Sequence, residues 1–103
     1  MTLARLKPLD SDHVLQVIRN ALGLQGRVLP SRHIVRDSMP KRNFDMNDVI
    51  NVLDKATTVR PSWNTNTETW NYDVKGRDFD GNELTIRIVP NDDDDGIVLV
   101  TGF

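Results

Sequence analysis

The apolar residues change their repeat once along this chain, close to Lys55, and that change constrains the fold more than any other feature. Before it, Val14, Val17, Ile18, Ala21 and Leu22 recur at helical spacing, as do Met46, Val49, Ile50 and Leu53. After it the period is two. Trp70, Tyr72 and Val74 alternate with Asn71, Asp73 and Lys75, and Leu84, Ile86 and Ile88 alternate with Thr85, Arg87 and Val89. Helices grouped before strands imply an α+β fold, with two or three N-terminal helices packed on one face of a C-terminal antiparallel sheet of three to four strands.

Local signals place the element boundaries. Asp10 or Ser11 caps a helix over about 12–22, which Gly23 and Gly26 end. Arg27-Val28-Leu29 is short and extended, and Pro30 biases Leu29 away from helical geometry. Ser31 is placed to cap a second helix starting at Arg32. Pro40 lacks an N–H and crowds the preceding turn, so that helix either stops near Ser38, the preferred reading, or kinks and runs to Arg42 with Asn43 as a left-handed stop. Asp45 caps a third helix over about 46–55, with Asp48 in its first turn and Phe44 able to staple against Val49.

Thr57-Thr58-Val59-Arg60 reads as a short edge strand closed by Pro61, followed by a polar loop over 62–67 that holds Trp63. Residues 68–76, 83–89 and 96–102 read as an antiparallel meander, with Asp80-Gly81 as a turn between the first two. The 103 residues are expected to form one domain, with 1–9 as a loose lead-in.

Composition narrows the chemistry. With no cysteine, a disulfide scaffold, a thiol nucleophile and a Cys-based zinc site are excluded. No apolar run approaches the length of a membrane-spanning helix, and the first eight residues lack a secretory apolar stretch, so no membrane partner and a cytoplasmic location are expected. The net charge of −2 hides a split: residues 1–42 carry eight Lys and Arg against three acids, while the remainder carries five against twelve. A positive half can attract a polyanion locally, although an acidic whole opposes tight nonspecific nucleic-acid binding, and no DNA partner is expected. Within and around the run Asp92-Asp93-Asp94-Asp95, the residues Asn91, Asp93, Asp95 and Gly96 mimic the start of a calcium loop, but Gly102 stands where the closing Glu is needed and a strand follows. A solvated hairpin tip is the better reading; His13 and His33 lack metal-ligand spacing, so neither a metal nor any other cofactor is expected.

Three groups of residues can carry function. His33 lies three residues before Arg36, so both project from one helical face, where an imidazole can move a proton and a guanidinium can hold a phosphate. The alternative is local: His33 bonds to the chain near the helix start, and Arg36 pairs with Asp37 or with acids of the sheet. Lys75 and Arg87 fall on the strand face opposite the apolar one and can hold an anion if that face stays open, or serve as ordinary outward residues. Trp70 and Tyr72 share an apolar face and read as core, leaving Trp63 as the candidate for a partner contact.

Ser31-Arg32-His33-Ile34-Val35-Arg36, then Lys41-Arg42, then Asp48-Val49-Ile50-Asn51-Val52-Leu53 resembles a small bacterial family, the domain of unknown function 4258 family. Trp70-Asn71-Tyr72-Asp73-Val74, Gly76, Asp80-Gly81, Leu84-Thr85-Ile86 and Ile97-Val98-Leu99-Val100-Thr101 continue the resemblance over about residues 11–103. Asn43 in place of a glycine, and Pro40 inside the His–Arg segment, depart from the family pattern. Its members are similar to RelE-like toxin ribonucleases, which cut messenger RNA without a metal. The resemblance implies a metal-independent endoribonuclease of toxin–antitoxin type, with His33 as acid or base and Arg36, Arg42 and Arg87 holding phosphate. It also implies an RNA substrate and an antitoxin that covers the basic surface. The competing expectation is a noncatalytic interaction module in which these residues organise the helix–sheet junction.

Overall fold

The computed structural model describes residues 7–91 and 95–103. Most of the expected lead-in and three of the four consecutive aspartates lie outside the described residues. Helix α1 spans Ser11–Leu22 and buries Val14, Val17, Ile18 and Ala21 of the expected stripe together with Leu15, while Leu22 is half-buried. Asp10 occupies the cap position without a side-chain hydrogen bond. Strand β1, Arg27–Pro30, follows.

A continuous helical segment over 32–42 comes next, and it corrects the preferred reading that the helix stops near Ser38. Its middle, Ile34–Ser38, is π-helical, and its end, α2, spans Met39–Arg42. Pro40 can contribute no N–H, and the wider turn just before it carries the helix through, with Met39 N–H donating to the Ile34 carbonyl. Asn43 then stops the helix at φ 55°, in the left-handed region.

Helix α3, Met46–Asp54, begins at the expected cap Asp45, and the first-turn Asp48 completes a capping box with it: Asp45 accepts from the Asp48 N–H, and Asp48 accepts from the Asp45 N–H. It buries Val49, Val52 and Leu53, whereas Ile50 faces outward.

The strands β2 (Arg60–Asn64), β3 (Thr69–Arg77), β4 (Glu83–Pro90) and β5 (Gly96–Gly102) complete a five-stranded sheet of order β1-β5-β4-β3-β2. The expected meander is present as β3, β4 and β5, and the turn between β3 and β4 carries Gly81 at φ 87°. Two features correct the expected sheet of three to four antiparallel strands. Arg27–Pro30 is a full member, paired in parallel with β5 through Val28 and Ile97. The edge strand lies at 60–64, not 57–60: on an outer strand Pro61 is tolerated, because its missing N–H need not enter the ladder.

α1 and α3 pack on one face of the sheet. Ile18, Val49, Val52 and Leu53 meet Tyr72, Val74, Leu84, Ile86, Ile88, Ile97 and Leu99 in one core. Two close approaches fix this packing. A Cβ at Gly76 would lie 3.0 Å from Val52 Cγ1, and one at Gly102 would lie 2.4 Å from Phe44 Cζ. The bare glycines let α3 and the Phe44 ring settle directly on the strands.

Candidate functional site

Ser31 anchors the basic segment to the sheet. Its Oγ accepts from the Ile34 N–H at 3.1 Å, as a helix cap should, and donates to the Val100 carbonyl at 2.9 Å. Seven residues further on, Ser38 Oγ meets Thr101 Oγ1 at 2.9 Å. Helix 32–42 therefore lies along the portion of β5 that four-residue β1 leaves uncovered. Ile34 and Ser38 face inward; Arg32, His33, Val35, Arg36 and Asp37 face out.

His33 Nδ1 lies 3.0 Å from Asp37 Oδ2, one turn along the same exposed helical surface. The contact orients the imidazole, and the His33 side chain remains 59% exposed. Arg36 is exposed beside it, and Arg32, Arg36 and Lys41 make no ion pair or side-chain hydrogen bond among the described residues. Arg42, at the end of α2, reaches the far end of the sheet, where its Nη2 donates to the Glu83 carbonyl at 3.3 Å.

On the uncovered sheet face, Arg87 donates two hydrogen bonds to Asp73, Nε to Oδ1 at 2.7 Å and Nη2 to Oδ2 at 3.0 Å. These bonds raise the Arg87 pKa above its already high ordinary value. The guanidinium also lies over the Phe103 ring, 5.2 Å from its centroid. Lys75 stands 3.8 Å from Glu83. A polar row crosses four strands here in register: Arg60 opposite Asp73, Asp73 opposite Arg87, Arg87 opposite Thr101.

The sequence-expected set is thus distributed over three places. His33 and Arg36 lie on the outer side of helix 32–42, Arg42 and Lys75 reach towards Glu83, and Arg87 is held by Asp73. Trp63 sits in β2 and not in a loop. It packs edge-on against Trp70 with ring centroids 5.2 Å apart and remains 41% exposed, so its outer side is available to a partner. Asp37 pairs with His33 and not with Arg36, and Arg87 takes Asp73 and Phe103 as partners that sequence reasoning did not name; the i, i+4 spacing of His33 and Asp37 is the sequence signal for the first pair. Among the described residues, no three His, Asp or Glu side chains come together in a way that could hold a metal ion, and no helix is long and apolar enough to cross a membrane.

No family model, curated protein or solved structure matches this chain.

Proposed function

We propose that this chain is a noncatalytic protein-interaction module of the cytoplasm, whose helical segment 32–42 binds an acidic partner protein. One observation carries the reading: exposed Val35 (47%) lies in sequence between exposed Arg32 and Arg36, exposed Lys41 follows on the same segment, and exposed Leu29 (44%) precedes it in β1. Cations interleaved with aliphatic side chains suit a protein surface that is acidic and partly apolar. An antitoxin-like protein is one partner of that chemistry.

A second reading, a metal-independent endoribonuclease acting on RNA, is favoured by the His33–Asp37 pair. A carboxylate that orients Nδ1 leaves Nε2 ready to take a proton, as a general base requires. The resemblance to the domain of unknown function 4258 family supports it too. Against it stands the engagement of Arg87 with Asp73, since the cation meant for phosphate already has a carboxylate.

Charge reversal and an RNA assay separate the two. The wild-type chain is expected to retain a discrete acidic protein from a lysate of its source cells, with retention lost on raised salt and in the triple variant Arg32→Glu, Arg36→Glu, Lys41→Glu. Single-stranded RNA in chelator should stay intact. RNA cleavage by the wild type that disappears in His33→Ala would replace the first reading with the second.

A further inference from the structure

A cleft of about 370 Å³ opens beside the edge of β3, between the C-terminal half of α3 and the β3–β4 hairpin. We propose that an extended acidic peptide binds here by strand addition, pairing antiparallel with residues 75–77 of β3 in the line that β2 leaves vacant. The proposal does not rest on helix 32–42 or on the reading above.

The sheet register shows why this edge is open. β2 pairs with β3 only as far as Asp73, and residues 56–59, which lead into β2, form no ladder with it. Thr85 exchanges both of its backbone hydrogen bonds with Phe103, so its N–H and C=O face β5. Successive residues of a strand face opposite ways, so Leu84 and Ile86 turn to β3, where Gly76 and Val74 stand opposite them. Lys75 and Arg77 therefore direct their N–H and C=O groups to the vacant side. One contact verifies the direction: the Arg77 carbonyl accepts from Asn51 Nδ2 of α3 at 3.1 Å. The Lys75 N–H, the Lys75 C=O and the Arg77 N–H remain, and no group bonds to them among the described residues. The edge is also braced. Asp48 Oδ1 accepts from the Phe79 N–H at 3.0 Å, a second tie between hairpin and helix, so a guest strand need not order its template.

Alternation divides the side chains and sets what the guest must carry. Lys75 and Arg77, both exposed, lie on the uncovered sheet face. Gly76 lies on the face of α3, where a Cβ would stand 3.0 Å from Val52 Cγ1. Residues directly opposite in a ladder share a face, so two guest residues stand beside the cations and the one between them stands towards Val52. Opposite charges favour such cross-strand pairs and like charges oppose them. Lys75 makes only a 3.8 Å approach to Glu83, and Arg77 donates Nη1 to the Gly81 carbonyl. The fitting pattern is acid, aliphatic, acid. Main-chain bonds then supply affinity, and the alternate side chains supply selectivity. Two cations on one edge also repel the same edge of a second copy, which leaves a foreign acidic strand as the occupant.

Acetyl-Gly-Glu-Val-Glu-Gly-amide is the probe, followed by the amide shifts and amide hydrogen exchange of the whole chain. Saturable shifts are expected over residues 51–55 and 74–79. Exchange at the Lys75 and Arg77 N–H groups should slow about tenfold when the peptide reaches about nine times its Kd, while Gly76, already turned to β4, stays unchanged. Acetyl-Gly-Lys-Val-Lys-Gly-amide should bind about tenfold more weakly. Methylating the nitrogen of the second Glu removes the donor to the Lys75 carbonyl and should abolish the slowed exchange. Lys75→Glu with Arg77→Glu should reverse the preference between the acidic and basic peptides. The altered peptides act on the wild-type chain, so the decision does not depend on how that variant folds. Absence of saturable shifts up to about 5 mM acidic peptide would overturn the proposal. So would equal binding of the basic or N-methyl peptide, an unreversed preference in the folded double variant, or shifts confined to residues 31–42, which would place the acidic ligand on the helix instead.

Discussion

Arg87 and Asp73 face each other on adjacent strands and share two hydrogen bonds, at 2.7 and 3.0 Å, with side chains 30% and 18% exposed. A half-shielded, two-point pair of this kind is worth more than a surface ion pair, because water competes less for it. Removing either partner leaves the other charge part-buried. Arg87→Ala or Asp73→Ala is expected to lower unfolding stability by about 1–3 kcal/mol. The double variant should cost less than the sum of the two. Chemical denaturation of the three variants measures this coupling, and simple additivity would show that the pair contributes nothing as a pair.

Asp48 ties two elements together, accepting the Asp45 N–H that starts α3 and the Phe79 N–H of the hairpin. The Phe79 bond, followed by the Asp45 bond, holds its pKa below the ordinary 3.8. Because the folded value is depressed, this contribution is fully present above the unfolded pKa and fades as pH falls from there through the folded value. Asp48→Ala should cost about 1–2 kcal/mol at neutral pH and flatten the loss of stability at the acid end. Denaturant midpoints at several pH values below 5 compared with pH 7 provide the check, and an unchanged acid slope would refute the assignment.

Gly102→Ala is expected to be costly although it adds one carbon. The new Cβ would stand 2.4 Å from Phe44 Cζ, and Phe44 is a 6%-exposed member of the core. Overpacking of this kind costs about 1–3 kcal/mol. Phe44→Leu in the same chain should recover part of the loss. Melting temperatures of the single and double variants decide it; equal melting of Gly102→Ala and wild type would mean that the ring moves aside freely.

Where apolar period and turn chemistry act together, structure could be read from residues alone. α1, the Asp45–Asp48 capping box and the meander of β3, β4 and β5 belong to this class. The errors fall where a residue's local preference is overruled by its setting. Pro40 looks like a stop, but the π-helical stretch absorbs its missing N–H. Pro61 looks like a strand terminus, but on an outer strand it costs no ladder bond. Arg27–Pro30 is too short to reveal a partner that lies nearly seventy residues away. Arg36, Lys75 and Arg87 stand on the expected elements, whereas Arg42 stands on the helical end that a stop near Ser38 leaves out, and what each one touches was not legible. Asp37 for His33 and Asp73 for Arg87 are choices of side-chain direction made by the assembled fold.

The parallel seam between β1 and β5 has a kinetic consequence. Val28 leaves the ribosome sixty-nine residues before Ile97, its neighbour in the sheet. Until β5 arrives, β1 has no ladder to join, and Ser31 lacks the Val100 carbonyl to which it is fastened. The nascent basic stretch must wait, unanchored, for nearly the whole chain. Distant closures of this kind slow folding, and a variant that weakens β5 should leave a long-lived species in which α1, α3 and the β2–β3–β4 portion have formed while residues 27–42 still exchange their amide protons with water.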